Sequence, residues 1–254
     1  MTVIPRQVNH RVGQAMHQFG MLADGDRVLI AVSGGIDSLV LSWLLKEWQR
    51  KAPIRYALLT AHLDMGFGGG EHELVRAQLE RLDLPMLIEQ TDFGRRALLA
   101  EDGKAGCYHC ARQRRNRLFA LAQEHGCNKL AFGHHQEDIV ETFFLNLFYG
   151  GNLSAMAPRQ ELFGGKLAII RPLALLDKES IIGLGREIGV TAVANPCPLA
   201  ADSRRERIRG WLAELYQQEP SIRPTLFASL GNPRPEYLPV PLPAVKASRR
   251  AHQP

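Results

Sequence analysis

The sequence predicts an α/β fold, a doubly wound parallel sheet with an N-terminal helix and a C-terminal helical extension. Three observations carry that expectation. Five apolar residues, Val28–Val32, are rich in β-branched types and read as a buried strand. Apolar runs of strand length then alternate with stretches of helical periodicity. Finally, the residues best suited to chemistry cluster just after the strands, where doubly wound sheets form their ligand crevice. Taken in order, Val12, Ala15, Met16, Phe19 and Leu22 recur at helical spacing and predict an amphipathic helix over Asn9–Leu22. Strand Val28–Val32 and helix Leu39–Trp48 follow. Tyr56–Leu63 reads as a second strand, Glu71–Leu82 as a helix and Met86–Glu89 as a short third strand. A helix over about Ala111–His125 leads into a fourth strand, Lys129–Gly133, and then helix Gln136–Tyr149. Gln160–Pro172 reads as a hairpin or extended arm around Gly164–Gly165. Asp177–Ile188, the basic stretch Asp202–Gln217 and Pro220–Leu230 read as helices, and after Asn232 prolines predict an extended, largely disordered tail. No internal repeat is present. Met16, Phe19, Phe143, Phe144, Leu147 and Phe148 are expected in the core.

The most informative motif is Ser33-Gly34-Gly35-Ile36-Asp37-Ser38 between the first strand and its helix. A glycine-rich turn there aims several backbone N–H groups, at the positive end of a helix, toward an anion such as phosphate. No Gly-Lys-Ser/Thr follows, so it is not a Walker A loop, and no GxGxxG marks a dinucleotide fingerprint. The pattern SGGxDS resembles the PP-loop of the ATP pyrophosphatases. That resemblance implies cleavage of ATP to AMP and pyrophosphate, with adenylation of a substrate oxygen.

Composition sets the frame. Apolar residues make up 45% and charged residues 22% of the 254, globular values that allow a sizeable core. No apolar run reaches the roughly 18 residues that span a bilayer, and Met1–His10 has no signal-peptide core. A cytoplasmic protein with no membrane partner is the expectation. The net charge of +5 suits a polyanionic partner without requiring one. Four cysteines, Cys107, Cys110, Cys127 and Cys197, are expected as thiols, metal ligands or catalysts rather than disulfides.

Cys107-Tyr-His-Cys110 is the second informative motif, and alone it is ambiguous. It suits half a zinc site, a redox dithiol or part of an iron–sulfur site. No second CxxC exists, and Cys197 stands alone in Asn195-Pro196-Cys197-Pro198. Two cysteines plus one suit a [4Fe–4S] cluster with one iron open; three cysteines plus His109 or another histidine would suit zinc. Cys127, beside His125-Gly126 at a helix end, is expected to be a small half-buried core residue.

The CxxC followed after three residues by Arg114-Arg115, the block FGHHQEDIVETFFLNLFYGG (132–151), IIRPL (169–173) and the isolated Cys197 together resemble the tRNA 2-thiocytidine synthetases, the TtcA-like thiolases. The resemblance covers roughly residues 10–238. It implies a PP-loop, adenine nucleotide alpha-hydrolase-like fold and a sulfurtransferase using ATP, Mg²⁺ and a [4Fe–4S] cluster. Its reaction adenylates C2 of cytidine at position 32 of tRNA and replaces that oxygen with sulfur. Cys107, Cys110 and Cys197 then hold the cluster. Ser33, Gly34, Gly35, Asp37 and Ser38 form the ATP loop, with His62, Gly133 and His134 also at the nucleotide. Asp37 and Asp138 are the carboxylates for Mg²⁺ or proton handling, and Arg115, with Arg114, is placed to stabilise charge. His62 and Asp64 end the second strand, where a base sits in doubly wound folds. Arg204, Arg205, Arg207 and Arg209 are placed to meet a tRNA backbone, and Tyr108 and Tyr149 to stack on a flipped base. A sulfur donor (a cysteine desulfurase or sulfide) and a homodimer are further implied partners.

Two positions depart from the family pattern. Ile36 stands where members often carry lysine, so a cation for phosphate must come from elsewhere in the chain. Glu137 stands where relatives usually show aspartate. The alternatives are a ligase of the lysidine synthetase type, a thiolase for another tRNA base, and a nucleotide-binding module with structural zinc. The expected organisation is an N-terminal helical segment (1–24), the ATP pyrophosphatase domain with the iron–sulfur site (25–198), a C-terminal helical extension (199–232) and a Pro-rich tail (233–254).

Overall fold

A computed structural model describes residues 3–99, 103–199 and 203–239, and the side chains of 103–105 are outside that description. Six strands form one sheet in the order β3-β2-β1-β4-β6-β5. They are β1 (Arg27–Ala31), β2 (Ala57–Asp64), β3 (Met86–Gln90), β4 (Lys129–Ala131), β5 (Arg159–Leu162) and β6 (Leu167–Ile170). All neighbours pair in parallel except β5, which runs antiparallel to β6 on the edge. The expected hairpin is therefore present, and its second strand also extends the parallel sheet.

Side-chain alternation along the strands divides the core in two. Val28 and Ile30 face one layer and Leu29 the other. The first layer is built from α1 (Arg6–Gln18), α2 (Ile36–Gln49), α3 (Glu71–Arg81) and α7 (Lys178–Glu187), with Ala15, Leu41, Leu44, Leu79 and Ile181 buried in it. The second is covered by α5 (Gly103–Glu124), which buries Leu118, Leu121 and Ala122 against Leu29, Ala61 and Leu130. Cys127 packs into this second layer as expected. A third, smaller core joins α6 (Gln136–Gly150) to α8 (Arg204–Gln218) and α9 (Ile222–Ser229) around Val140, Ile208 and Leu212. The C-terminal extension thus docks on the helix that follows β4.

The structure corrects several expectations. α1 begins at Arg6 and stops before Gly20, whose φ of 54° breaks the helix. A short α4 (Phe93–Leu99) was not legible, and α5 begins eight residues before the expected Ala111, so the CxxC lies within the helix. Phe148 is 53% exposed rather than in the core, its ring edge-on to Trp211. In the tail, Pro235–Tyr237 forms a 3-10 turn, and 240–254 lie outside the described residues. No described helix is long and apolar enough to cross a membrane.

Candidate active site

The loop Ser33–Ser38 leaves β1 and enters α2 at Ile36, with extended Gly35 as the residue before the helix. Short polar side chains fix its path. Ser38 Oγ donates to the Gly35 carbonyl (2.8 Å) and accepts from Ser33 N–H (3.2 Å), and Ser33 Oγ accepts from Gly35 N–H (3.3 Å). Gly34 has φ 87°, and a Cβ there would lie 2.9 Å from Val75 Cγ2 and 3.2 Å from Val193 Cβ, so only glycine fits. Val193 N–H donates to the Gly34 carbonyl (2.9 Å), tying the segment before Cys197 to the loop. Gly133 lies against the start of α2; a Cβ there would meet the Asp37 carbonyl carbon at 2.9 Å.

These elements bound a cavity of about 310 Å³ at the C-terminal edge of the sheet. Ser33, Gly35, Asp37, Ser38, His62, Gly133, His134 and Asp138 all line it, joined by Asp64, Arg114, Asn195 and Pro196. Residues more than 100 positions apart in sequence thus share one crevice, as the topology demands. Arg114 and Arg115 are both exposed on α5, but Arg114 lines the cavity and Arg115, one residue along, does not. Of the two arginines, Arg114 is therefore the one placed to act on a bound molecule.

Two histidines face the cavity with defined tautomers. His62 is buried, and its Nδ1–H donates to the Val32 carbonyl (2.8 Å), leaving Nε2 as an acceptor. Burial lowers its pKa, against the opposing pull of that hydrogen bond and of Asp64, and keeps it neutral. His134 is stacked on Phe132, and its Nδ1 accepts from Arg171 Nε (3.3 Å), so its Nε2 carries the proton. Burial, opposed by Asp138 and reinforced by Arg171, Arg205 and Arg114, pushes His134 down to about 4. Arg171, from the IIRPL motif, is 6% exposed, also donates to the Ala157 carbonyl, and meets no carboxylate among the described residues. Burial lowers its pKa to about 10.

Behind the cavity lies a charged lattice that the sequence did not reveal. Lys178 Nζ contacts both Asp37 carboxylate oxygens (2.6 and 2.7 Å). His135 is buried, with Nδ1 2.9 Å from Glu137 Oε2 and Nε2 3.4 Å from Asp138 Oδ2. Burial disfavours charge on His135, but the Glu137 hydrogen bond and the Asp138 and Asp37 carboxylates outweigh it and raise its pKa. Burial pushes Glu137 up, but the His135 hydrogen bond and charge, together with backbone N–H bonds from Lys178 and from Glu137 itself, outweigh it and its pKa falls. Glu137 Oε1 also accepts from Lys178 N–H (3.1 Å). Glu137 thus clamps α6 to α7 and does not line the cavity. Asp138 Oδ2 accepts from His135 N–H (3.1 Å), a helix N-terminal contact, while the same carboxylate faces the cavity and pairs with Arg205 (3.5 Å).

The arginines expected on a tRNA surface divide. Arg205 and Arg209 reach inward to buried Glu141, Arg209 at 2.8 and 3.1 Å and Arg205 at 3.4 Å. Arg204 lies 4.5 Å over the Tyr149 ring, and Tyr108 is 66% exposed.

Cys107 and Cys110 stand one turn apart on α5, and Cys110 is four residues before Arg114. Burial raises the Cys110 pKa; Arg114 opposes this, while Cys197 and Cys107 add to it. Cys110 thus senses the charge of both other cysteines, and Asn195 Oδ1 holds the turn at Cys197 N–H (3.1 Å). The donor set fits a three-thiolate cluster site: Cys127 is buried in the second core layer, away from these three. Among the described residues, no three His, Cys, Asp or Glu side chains lie close enough together to hold a metal ion.

A family model described as the PP-loop domain matches residues 5–215. A tRNA-cytidine(32) 2-sulfurtransferase of Geobacter sulfurreducens is 38% identical over 238 residues, 92% of each chain. That of Pelobacter propionicus is 37% identical, covering 92% of this chain and 88% of its own. The chain belongs to the tRNA-cytidine(32) 2-sulfurtransferase family. Solved structures show the same fold. A U34-tRNA thiolase of Methanococcus maripaludis with its [4Fe-4S] cluster superposes with TM-score 0.73 at 19% identity, over 89% of this chain and 78% of that one. An NH3-dependent NAD synthetase of Campylobacter jejuni gives 0.51 at 15% identity, over 91% and 93%.

Within this family frame, Ile36 has a structural explanation. Its side chain turns away from the cavity onto α7, where a Cβ on Gly185 would sit 2.5 Å from Ile36 Cδ1. It holds two helices together and has no part in charge.

Proposed function

We propose that this protein is an ATP-dependent tRNA thiolase that converts cytidine 32 of tRNA to 2-thiocytidine. The observation that carries the reading is the junction at the sheet edge. A phosphate loop, a carboxylate pair and an arginine line one cavity, and two of its lining residues lead to thiols: Arg114 is four residues from Cys110 on α5, and Pro196 directly precedes Cys197. Relatives named tRNA-cytidine(32) 2-sulfurtransferase, matched over nearly the whole length, support the substrate assignment.

The chemistry follows from charge. Cytidine C2 carries a poor leaving oxygen; attack of that oxygen on the α-phosphorus of ATP expels pyrophosphate and leaves an AMP ester, which departs easily when sulfur adds at C2. The loop's N–H groups and the α2 N-terminus bind phosphate. Asp37 and Asp138 are the side chains to hold Mg²⁺ with the nucleotide. Arg114 offers a guanidinium to the charge that develops on the adenylated base. Neutral His134, with Nε2–H toward the cavity, donates a hydrogen bond to an oxygen there without accepting its proton. Cys107, Cys110 and Cys197 are the ligands for a [4Fe–4S] cluster, which supplies a position for the sulfur to be transferred. A sulfur donor and pairing of two chains belong to the same reading, as does division at residues 24, 198 and 232.

The test is nucleoside mass spectrometry of total tRNA from a deletion strain. Loss of 2-thiocytidine, restored by the wild-type gene and not by Asp37→Ala, is the expected result. Unchanged 2-thiocytidine with loss of another thionucleoside would overturn the named base.

A further inference from the structure

The loop Ser33–Ser38 binds a triphosphate, on the reading above, yet it contains no cation and carries an acid, Asp37. The one residue after Gly35 that a phosphate loop could make basic is Ile36, and its side chain is used to pack α2 on α7. Other cations near the cavity are engaged or remote from the loop. Arg171 donates to His134 and the Ala157 carbonyl, Arg205 holds Glu141 and Asp138, and Arg114 sits on α5 four residues from Cys110. Among the described residues, two cationic groups reach Asp37: His135, whose Nε2 lies 3.8 Å from Oδ1 but which is buried and held by Glu137 and Asp138, and Lys178, which contacts both oxygens and is the exposed one of the two.

Its position in the fold is unusual. Lys178 is the first residue of α7, where the helix dipole is positive and a lysine is disfavoured. Nothing in the packing of α7 requires it, since the buried face is Ile181, Leu184 and Gly185. The helix is nonetheless held firmly in place. Glu137 takes the Lys178 N–H, Asp177 caps Ser180 N–H, and Gly185 allows close approach to α2. A rigid helix thus presents one flexible ammonium, 36% exposed, at the edge of an anion cradle.

We infer that Lys178 is a nucleotide-binding residue that supplies the positive charge the loop lacks. In the free protein it masks Asp37, whose carboxylate would otherwise repel the incoming triphosphate. When nucleotide binds, the ammonium turns from Asp37 to the β- and γ-phosphate oxygens. This rests on the ATP reading of the cavity and adds a residue from outside the loop to it.

The experiment is titration calorimetry of the full chain, without tRNA, using α,β-methylene-ATP and AMP. AMP keeps the base, ribose and α-phosphate and lacks the groups assigned to Lys178. Lys178→Met is expected to weaken α,β-methylene-ATP by about ten- to a hundredfold, the worth of one charge-assisted hydrogen bond, and to leave AMP within about twofold. Lys178→Gln, which keeps a donor for Asp37 and removes only the charge, is expected to give the same separation. Equal loss of both ligands in the two variants would assign Lys178 to holding Asp37 alone and overturn the inference, as would unchanged binding of both. A wild-type chain that binds neither ligand refutes the ATP reading itself, and this inference with it.

Discussion

Glu141 is a carboxylate at 4% side-chain exposure inside a helix, held by two arginines that are 36% and 49% exposed. That asymmetry makes a sharp prediction about how the C-terminal extension is attached. Removing both guanidiniums by Arg205→Ala and Arg209→Ala leaves a buried, unpaired charge, a change that costs about 3–5 kcal/mol in general. The open outer faces of both arginines place the value near the lower end, about 3 kcal/mol. Removing the acid instead, as Glu141→Leu, keeps the volume and leaves two arginines that water and Asp138 or Glu206 can satisfy. The expected cost is about 1 kcal/mol or less. The triple variant should then recover most of the loss, falling within about 1 kcal/mol of Glu141→Leu. For a chain of this size, the arginine pair should lower Tm by roughly 6–12 °C, read by circular dichroism, and the leucine rescue should be visible in the same scan. A Glu141→Leu chain less stable than the double-arginine variant would refute the argument that desolvation of the acid dominates here. The same geometry governs any test of tRNA binding: reversing Arg205 or Arg209 breaks this interior contact, so charge reversals belong at Arg204 and Arg207.

Other expectations follow from the site. Cys107→Ala, Cys110→Ala and Cys197→Ala should each lose iron on anaerobic purification, whereas Cys127→Ala should retain it; stoichiometric zinc in the wild type would contradict the cluster assignment. Gly133→Ala should weaken ATP binding at least tenfold with little change in secondary structure, because its methyl would press on the Asp37–Ser38 peptide. Calorimetry that finds full affinity would show that the loop yields freely. The raised His135 and lowered Glu137 pKa values set a pH window. The His135 contribution is complete below about pH 6.5 and lost as pH rises through its raised value; that of Glu137 is complete above about 4.5 and lost as pH falls through its lowered value. Urea melts of wild type and Glu137→Gln should therefore differ most between about pH 4.5 and 6.5, and a gap that keeps widening toward pH 9 would contradict the pairing.

The parallel sheet and the phosphate loop were legible because each rests on local pattern. β-branched runs, a Gly-Gly turn and helical periodicity need only a short window of sequence. The loop residues, His62, Gly133, His134 and Asp138 were found because strand ends converge by topology. What escaped was set by contacts across long separations. Lys178 lies 141 residues from Asp37, and nothing in its local context distinguishes it from a solvated helix-start lysine. Arg171 and Glu141 read as ordinary polar residues until burial is known. Arg114 and Arg115 are adjacent on the expected helix, and helical periodicity alone does not say which of the two lines a cavity formed by distant strands. Phe148 fell in a helical apolar row, but the chain that could have covered it, α8, offers only the edge of Trp211.

The length of α5 also explains how two chemistries meet. Had the helix begun at Ala111, the CxxC would lie on a loop and its direction would be independent of the arginines. Running unbroken through Cys107, Cys110 and Arg114, the helix fixes them at spacings of three and four, on one side facing the sheet edge. Arg114 lines the cavity and acts on the Cys110 thiol as well, so one guanidinium bears on both the cavity and that sulfur. The segment Val193–Cys197 performs the matching task from the other side: its Val193 N–H is bound to Gly34 of the loop, its Asn195 and Pro196 line the cavity, and its end is the third thiol. The phosphate loop and the third thiol are therefore joined by one hydrogen bond and four residues of chain. On this geometry, a ligand that orders the phosphate loop is expected to restrain Cys197 as well. α,β-Methylene-ATP should slow alkylation of Cys197 in the iron-free protein by several-fold while leaving Cys107, exposed at the opposite end of the motif, unchanged; equal protection of both thiols, or of neither, would refute transmission through the Val193–Cys197 segment.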